Sequence, residues 1–292
     1  MGKASRRKKI DPSKRKNIRP AIAFVDRPFQ GLERERELVA MREIIPCATM
    51  TAKTTAEHGG TEFDFVTLLP DGAGAMVRGD GRILVGVQTR FSTGDLSHDL
   101  GAALTAALKM QLEGEEGVAQ FDVRDPAPRL QELLAEGELA PMTVLKDFGY
   151  WFDPNEEIDA EMAAALEQNR EDMVPTEEVP GVEGMYWCEM NNNFIRYVLA
   201  MDEDLLFTAL ARLQAAGQAQ LGEGSKFVGA FRACGIAIPV FQVNPELSAA
   251  DFAAPAAQLR DNLELALKQT EPLTDDERRA RAGMVSRQVT IR

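Results

Sequence analysis

The chain has 292 residues, of which 45% are hydrophobic, 27% charged and 7% aromatic, and it carries a net charge of −13. That length suits two domains, and the apolar content lies above the disordered class. No apolar run approaches the roughly 20 residues that cross a bilayer, and the basic start has no apolar stretch behind it. A membrane span and a secretory signal are therefore excluded, and the cytoplasm is the expected location. The three cysteines, Cys47, Cys188 and Cys234, are odd in number, far apart and set among apolar neighbours. They read as buried reduced thiols rather than a zinc or redox motif.

Charge is unevenly distributed. Residues 1–20 hold nine bases against Asp11, a segment charge of +8, so the remainder sums to −21. The last fifteen residues contain five arginines and no acid, which leaves −26 for residues 21–277. With almost no apolar content, residues 1–20 read as a disordered basic arm.

Residues 21–152 are expected to form a first α+β domain. Glu33–Ile44 reads as a helix with Leu38, Val39 and Met41 on one stripe, ended by Pro46. Alternation in Glu62–Leu69 predicts a strand, and Ala73–Val77 and Ile83–Phe91 predict a hairpin turning at Gly79-Asp80-Gly81. Asp95 or Ser97 caps a helix through Leu100, Leu104 and Leu108. A short helix at Leu130–Leu134 and an apolar segment at 142–152 follow. Residues 153–183 hold eleven acids against Arg170. They read as a helix over Ile158–Met173 and then an exposed linker from Val174 to Gly181.

A second α+β domain is expected over residues 184–270. Two strands flank the turn at Asn191-Asn192-Asn193, and Asp202–Ala216 is a helix ended by Gly217. Ser225–Cys234 reads as a shorter helix closed by Gly235. Ile236–Val243 reads as a strand whose Pro239 places it at a sheet edge. A helix spans about Ala249–Lys268. Residues 271–292 form a basic C-terminal segment, with a capping box at Thr274–Glu277 and a last strand at Val289–Ile291. Both halves run from strands through aspartates into a Leu/Ala helix, so a duplicated β-β-α unit is one reading. The fold class expected is α+β, with antiparallel sheets, packed helices and two halves of similar size.

Several stretches, Met1–Lys9, Arg27–Leu32, Leu38–Pro46, Gly224–Gly235 and Arg281–Thr290, resemble an uncharacterised actinobacterial family, a domain of unknown function. The resemblance spans nearly the whole chain and implies no activity. Similar chains are sometimes labelled preprotein translocase ATPases, but neither a G-x-x-x-x-G-K-[ST] loop nor that enzyme's cysteine cluster occurs in this sequence.

The candidate nucleic-acid-binding residues are Lys3, Arg6, Arg7, Lys8, Lys9, Lys14, Arg15, Lys16 and Arg19. Flexible Lys/Arg clusters neutralise phosphates and release counterions, and with no interleaved aromatic the contacts must be to the backbone. The competing readings are a solubility tail and a tether held on the protein's own acidic body. A second candidate is an anion site at Gly222, Gly224, Ser225 and Lys226, where glycines precede a helix start; a plain turn capped by Ser225 competes with it. His58 reads as a loop residue and His98 as a helix-start residue beside Asp99. No catalytic residue, metal ligand or cofactor is assigned. The reading preferred is a non-enzymatic accessory protein associated with RNA or the ribosome through its arm. Salt-sensitive self-association of arm with acidic body is a further partner reading, and no membrane partner is expected. The alternative is an enzyme or small-ligand-binding protein with a pocket between the halves.

Overall fold

A computed structural model describes residues 21–287 and 289–290. Seven α-helices and two six-stranded, mostly antiparallel sheets make it an α+β protein. Helix α1 (Glu35–Glu43) comes first. The first sheet then collects β1 (Ala48–Lys53), β2 (Glu62–Val66), β3 (Ala75–Val77), β4 (Ile83–Gly86), β5 (Gly117–Val118) and β6 (Thr143–Val144), in the order β5-β3-β4-β2-β1-β6. Helices α2 (Leu96–Glu113), α3 (Leu130–Leu133) and α4 (Ala160–Asp172) belong to this half and its exit.

The second sheet collects β7 (Thr176–Glu178), β8 (Met185–Cys188), β9 (Asn193–Tyr197), β10 (Lys226–Ala233), β11 (Ile236–Val243) and β12 (Val289–Thr290). Its order is β12-β10-β11-β9-β8-β7. Helices α5 (Glu203–Ala215), α6 (Ala253–Leu267) and α7 (Asp275–Val285) cover its outer face, where Phe207, Leu210, Leu259 and Met284 pack on Trp187, Ile195 and Phe241.

The two sheets share one core. Leu38, Val39, Ala40 and Met41 of α1 are all fully buried, and four consecutive helical residues point in every direction around the axis. This central turn has no solvent face, while Arg36, Glu37, Arg42 and Glu43 nearer the ends stay partly exposed. It packs among Phe63, Phe65 and Val85 of the first sheet, Leu100 and Leu104 of α2, and Tyr186, Ile236 and Ile238 of the second sheet. The sequence pattern predicts a stripe on α1; the structure buries the whole circumference of its central turn.

Three expectations are corrected. The stretch Ser225–Cys234 holds strand β10 (Lys226–Ala233) rather than a helix, because Cys234 and Gly235 are the two turn residues of a hairpin in which Ala233 pairs with Ile236. Both have positive φ, 46° and 74°, as a two-residue hairpin turn of the twisted type demands. Pro239 lies in an interior strand, not at an edge: β11 is flanked by β10 and β9. The pairing with β9 starts only at Val240, so Pro239 stands at the limit of that ladder. The expected linker at 174–181 contains β7, an edge strand on β8.

Strands β1-β2-β3-β4 and β8-β9-β10-β11 occupy equivalent places in their sheets, but β2 and β4 are parallel whereas β9 and β11 are antiparallel. The cause lies in the connections. A short loop takes β2 into an oppositely directed β3, while α5 carries the chain back so that β10 runs the same way as β9. Strands of like direction need such a crossover. The halves are therefore not two copies of one topology.

Candidate functional site

The nine basic residues of the arm, Lys3 to Arg19, lie outside the described residues. The structure does fix the place where that segment joins the body. Asp95 caps α2 by accepting from the backbone N–H groups of Ser97 and His98 at 3.1 and 3.4 Å. Its two oxygens also accept from Arg129 at 2.7 and 3.2 Å. Arg129 and Gln131 in turn donate to the carbonyl of Pro28 at 3.1 and 2.8 Å. The backbone N–H of Val25 donates to Gly94 at 2.9 Å. This network pins residues 25–30 across the first half.

The pinned segment borders a cavity of about 470 Å³ between the halves. Asp26, Arg42, Glu43, Arg232 and Cys234 contribute polar groups to its wall. Glu203 holds Arg232 at 2.7 Å, and Arg42 donates to Val87 O at 2.9 Å. Burial raises the carboxyl of Glu43 above the usual range, with Arg42 opposing. The turn at Cys234-Gly235 closes one end of the cavity. A Cβ at Gly235 would stand 2.6 Å from Asp26 O, so only glycine allows the incoming chain to lie against the hairpin.

The histidines and thiols are engaged in structural contacts. His98 is buried, with Nδ1 3.3 Å from Asp99 Oδ1 and Nε2 3.2 Å from Asp125 O. His58 stands 2.9 Å from Thr55 Oγ1 in a short turn on a different element. Cys47 donates to Asp147 O at 2.8 Å, and burial, with Asp147 adding, pushes its thiol up to about 12. Burial likewise raises Cys234 to about 12, chiefly with Glu43 assisting. Cys47 and Cys188 are buried, and Cys234 is partly so. Among the described residues no group of three or more His, Cys, Asp or Glu is placed to hold a metal ion. No helix among them is long and apolar enough to cross a membrane.

The second candidate site changes character. Gly222 and Gly224 both have positive φ, 82° and 77°, and Ser225 Oγ donates to Gly222 O while accepting from Leu221 N–H, each at 2.7 Å. The loop is thus a turn braced by Ser225. A strand follows it, so Ser225 caps no helix and the helix-dipole argument for an anion does not apply there. Lys226, however, borders a depression of about 250 Å³ whose other cationic side chain is Arg287. Arg287 is brought there by the parallel pairing of β12 with β10, in which Phe231 faces Val289. Sequence reading missed Arg287 as a site residue, because 61 positions separate it from Lys226 and no local motif joins them.

The basic C-terminal segment is partly neutralised. In α7, Arg278 pairs with Asp275 and Arg279 with Asp276, while Arg281 reaches Asp204 at 2.7 Å. The acidic stretch forms α4, capped by Asp159 at 2.8 Å from Met162 N–H, with most of its residues exposed.

A family model described as a family of unknown function (DUF5926) matches residues 28–292. No curated protein and no solved structure matches.

Proposed function

The chain belongs to that family, and we propose that it is a non-enzymatic accessory protein that contacts the phosphates of RNA, free or in the ribosome, through its basic segment at residues 1–20. The observation that carries the reading is the charge segregation: +8 in twenty residues against −21 in the rest of the chain. An acidic body repels polyanions, so a concentrated cationic segment beside it directs such a partner to one place. The pinning of Pro28 by Arg129 and Gln131 supports the reading by giving the segment a fixed root. Location in the cytoplasm belongs to the same proposal.

Co-sedimentation with ribosomes and with purified cellular RNA across a salt series tests it. The intact chain is expected to co-sediment at low salt and be released as salt rises. A full-length chain with the nine arm bases replaced by Gln is expected to stay in the supernatant. Equal behaviour of both chains would overturn the proposal. If the intact chain alone sediments as a larger species at low salt, the arm instead serves self-association on the acidic body.

The cavity between the halves favours a second reading, a small-ligand-binding protein. Its volume lies within the roughly 300–1,000 Å³ of ligand pockets, and Arg42, Glu43 and Asp26 converge on it. A small-molecule thermal-shift screen, repeated on Arg42→Ala, checks it: a ligand whose stabilisation disappears in the variant supports this reading.

A further inference from the structure

In an acidic body, the concavities differ in which charges line them. The cavity beside Asp26 contains Glu43 as well, and a groove of about 580 Å³ between the edge strands β6 and β7 contains Glu177 and Glu178. A third concavity, of about 450 Å³, contains Glu43 and Asp172. The depression at Lys226 and Arg287 has no carboxylate in its lining. Its remaining polar side chains are Gln214 and Gln220, whose amides can donate neutral hydrogen bonds, and Ser225, whose hydroxyl is already given to Gly222 O. Among the described residues neither Lys226 nor Arg287 is paired with an acid; Arg287 Nε donates to Gly283 O at 2.9 Å, which orients the guanidinium and leaves its other N–H groups available.

We infer that this depression, lined by Lys226 and Arg287, is a phosphate-binding site. Lys supplies a point charge and Arg a planar fork matched to two phosphate oxygens. At about 250 Å³ the space is smaller than a typical ligand pocket and suits a phosphoryl group rather than a large organic molecule. A neighbouring hollow of about 550 Å³ shares Gly217 and Gln220 with it and is lined by Gln218, Gln258 and Asn262, the last two bonded to each other at 2.9 Å. Such amides both donate and accept, as a sugar or base edge beside the phosphate would require.

The polynucleotide as the phosphate's source rests on the function proposed above; the site itself does not. Lys226 opens β10, and the turn after its far end, Cys234-Gly235, holds the segment that leads to the arm. At about 3.3 Å per residue the two ends of that strand are roughly 25 Å apart. Twenty extended residues reach about 65 Å. One strand of nucleic acid can therefore meet the arm and the depression together.

The test uses full-length chains: the native protein, the arm-neutral chain with nine Gln, and each of these with Lys226→Ala and Arg287→Ala combined, all checked for native circular dichroism. Inorganic phosphate against chloride at equal ionic strength is expected to raise the melting temperature of the native and arm-neutral chains and not of the doubly substituted ones. Equal response in all four, or none in any, overturns the site. A labelled single-stranded RNA 20-mer is then titrated at several salt concentrations. Loss of about tenfold in affinity and a shallower salt slope on double substitution of the chain with its native arm assigns the phosphate to a polynucleotide, and unchanged affinity there removes the polynucleotide as its source. A phosphate response with no RNA binding by any chain keeps the site, assigns it to small phosphorylated molecules, and sinks the arm proposal separately.

Discussion

Arg129 and Asp95 form a forked ion pair 34 residues apart in sequence, and the same guanidinium reaches the carbonyl of Pro28. Asp95 is thereby helix cap and counter-ion at once, and the first residues of the folded body are tied to the start of α2. Arg129 is one-third exposed and Asp95 is buried. Breaking a partly solvated pair costs less than breaking a fully buried one, but here a cap is involved too. Asp95→Ala is expected to lower stability by about 2–4 kcal/mol and Arg129→Ala by about 1–3 kcal/mol in urea unfolding. The double substitution is expected to cost less than the two separate losses added together, which a double-mutant cycle reads directly.

Gly235→Ala tests the hairpin that abuts the incoming chain. The residue has φ 74°, and the added methyl would meet Asp26 O at 2.6 Å. The left-handed conformation alone costs roughly 1–2 kcal/mol for an L residue, and the contact adds to it. A fall in stability of about 2 kcal/mol or more is expected, with faster proteolysis near residues 21–28.

Arg212 is buried and has carbonyl rather than carboxylate partners. It donates to Ala266 O, Gln269 O and Glu271 O at 3.0, 2.9 and 2.6 Å, at the end of α6. A cation there satisfies free carbonyls and complements the negative end of the helix dipole. Arg212→Met keeps much of the stem's packing and removes these bonds; a loss of about 2–4 kcal/mol is expected from thermal or urea unfolding. Arg212→Lys should restore only part of it, because one ammonium cannot reproduce the fork.

Thiol titration has a definite sign. Cys47 and Cys234 are raised to about 12 in the folded protein, whereas an unfolded thiol ionises near pH 8.5. Their contribution to stability is complete below about pH 8.5 and is lost as pH rises toward 12, since unfolding then releases protons. Tyr150 and Tyr186, raised by burial, act in the same direction only above about pH 10, where an unfolded tyrosine ionises, so the fall below that comes from the thiols. The urea midpoint should therefore fall between pH 8 and pH 10. Iodoacetamide at pH 8 should label the native chain slowly and the unfolded chain at all three cysteines.

Elements with a local stop or start signal were legible in the sequence. Asp95, Asp202 and Thr274 cap α2, α5 and α7 as their spacing implies. The Asp80-Gly81 turn joins β3 to β4. Strand β10 was not legible, because a glycine with positive φ both ends helices and closes hairpins. Gly235 carries that signal without saying which, and the residue before it, Cys234, is a rare occupant of the left-handed region. The burial of α1 was hidden for another reason: Ala40 looks neutral in a pattern until a second sheet covers it. The arm's charge is visible from composition alone. The meeting of Lys226 with Arg287 depends on a parallel strand pairing that leaves no periodic trace between residues 226 and 287.

The enclosed position of α1 also sets an order of events during synthesis. Its partners Tyr186, Val198, Ile236 and Ile238 are made some 150–200 positions later. At about 5–20 residues per second, translation leaves the helix without its second sheet for roughly 10–40 s. Throughout that interval the apolar central turn of α1 lacks a finished surround, and the first half cannot reach its final packing before the last third of the polypeptide has appeared. The packing around α1 is thus completed late, rather than stepwise from the beginning of the chain.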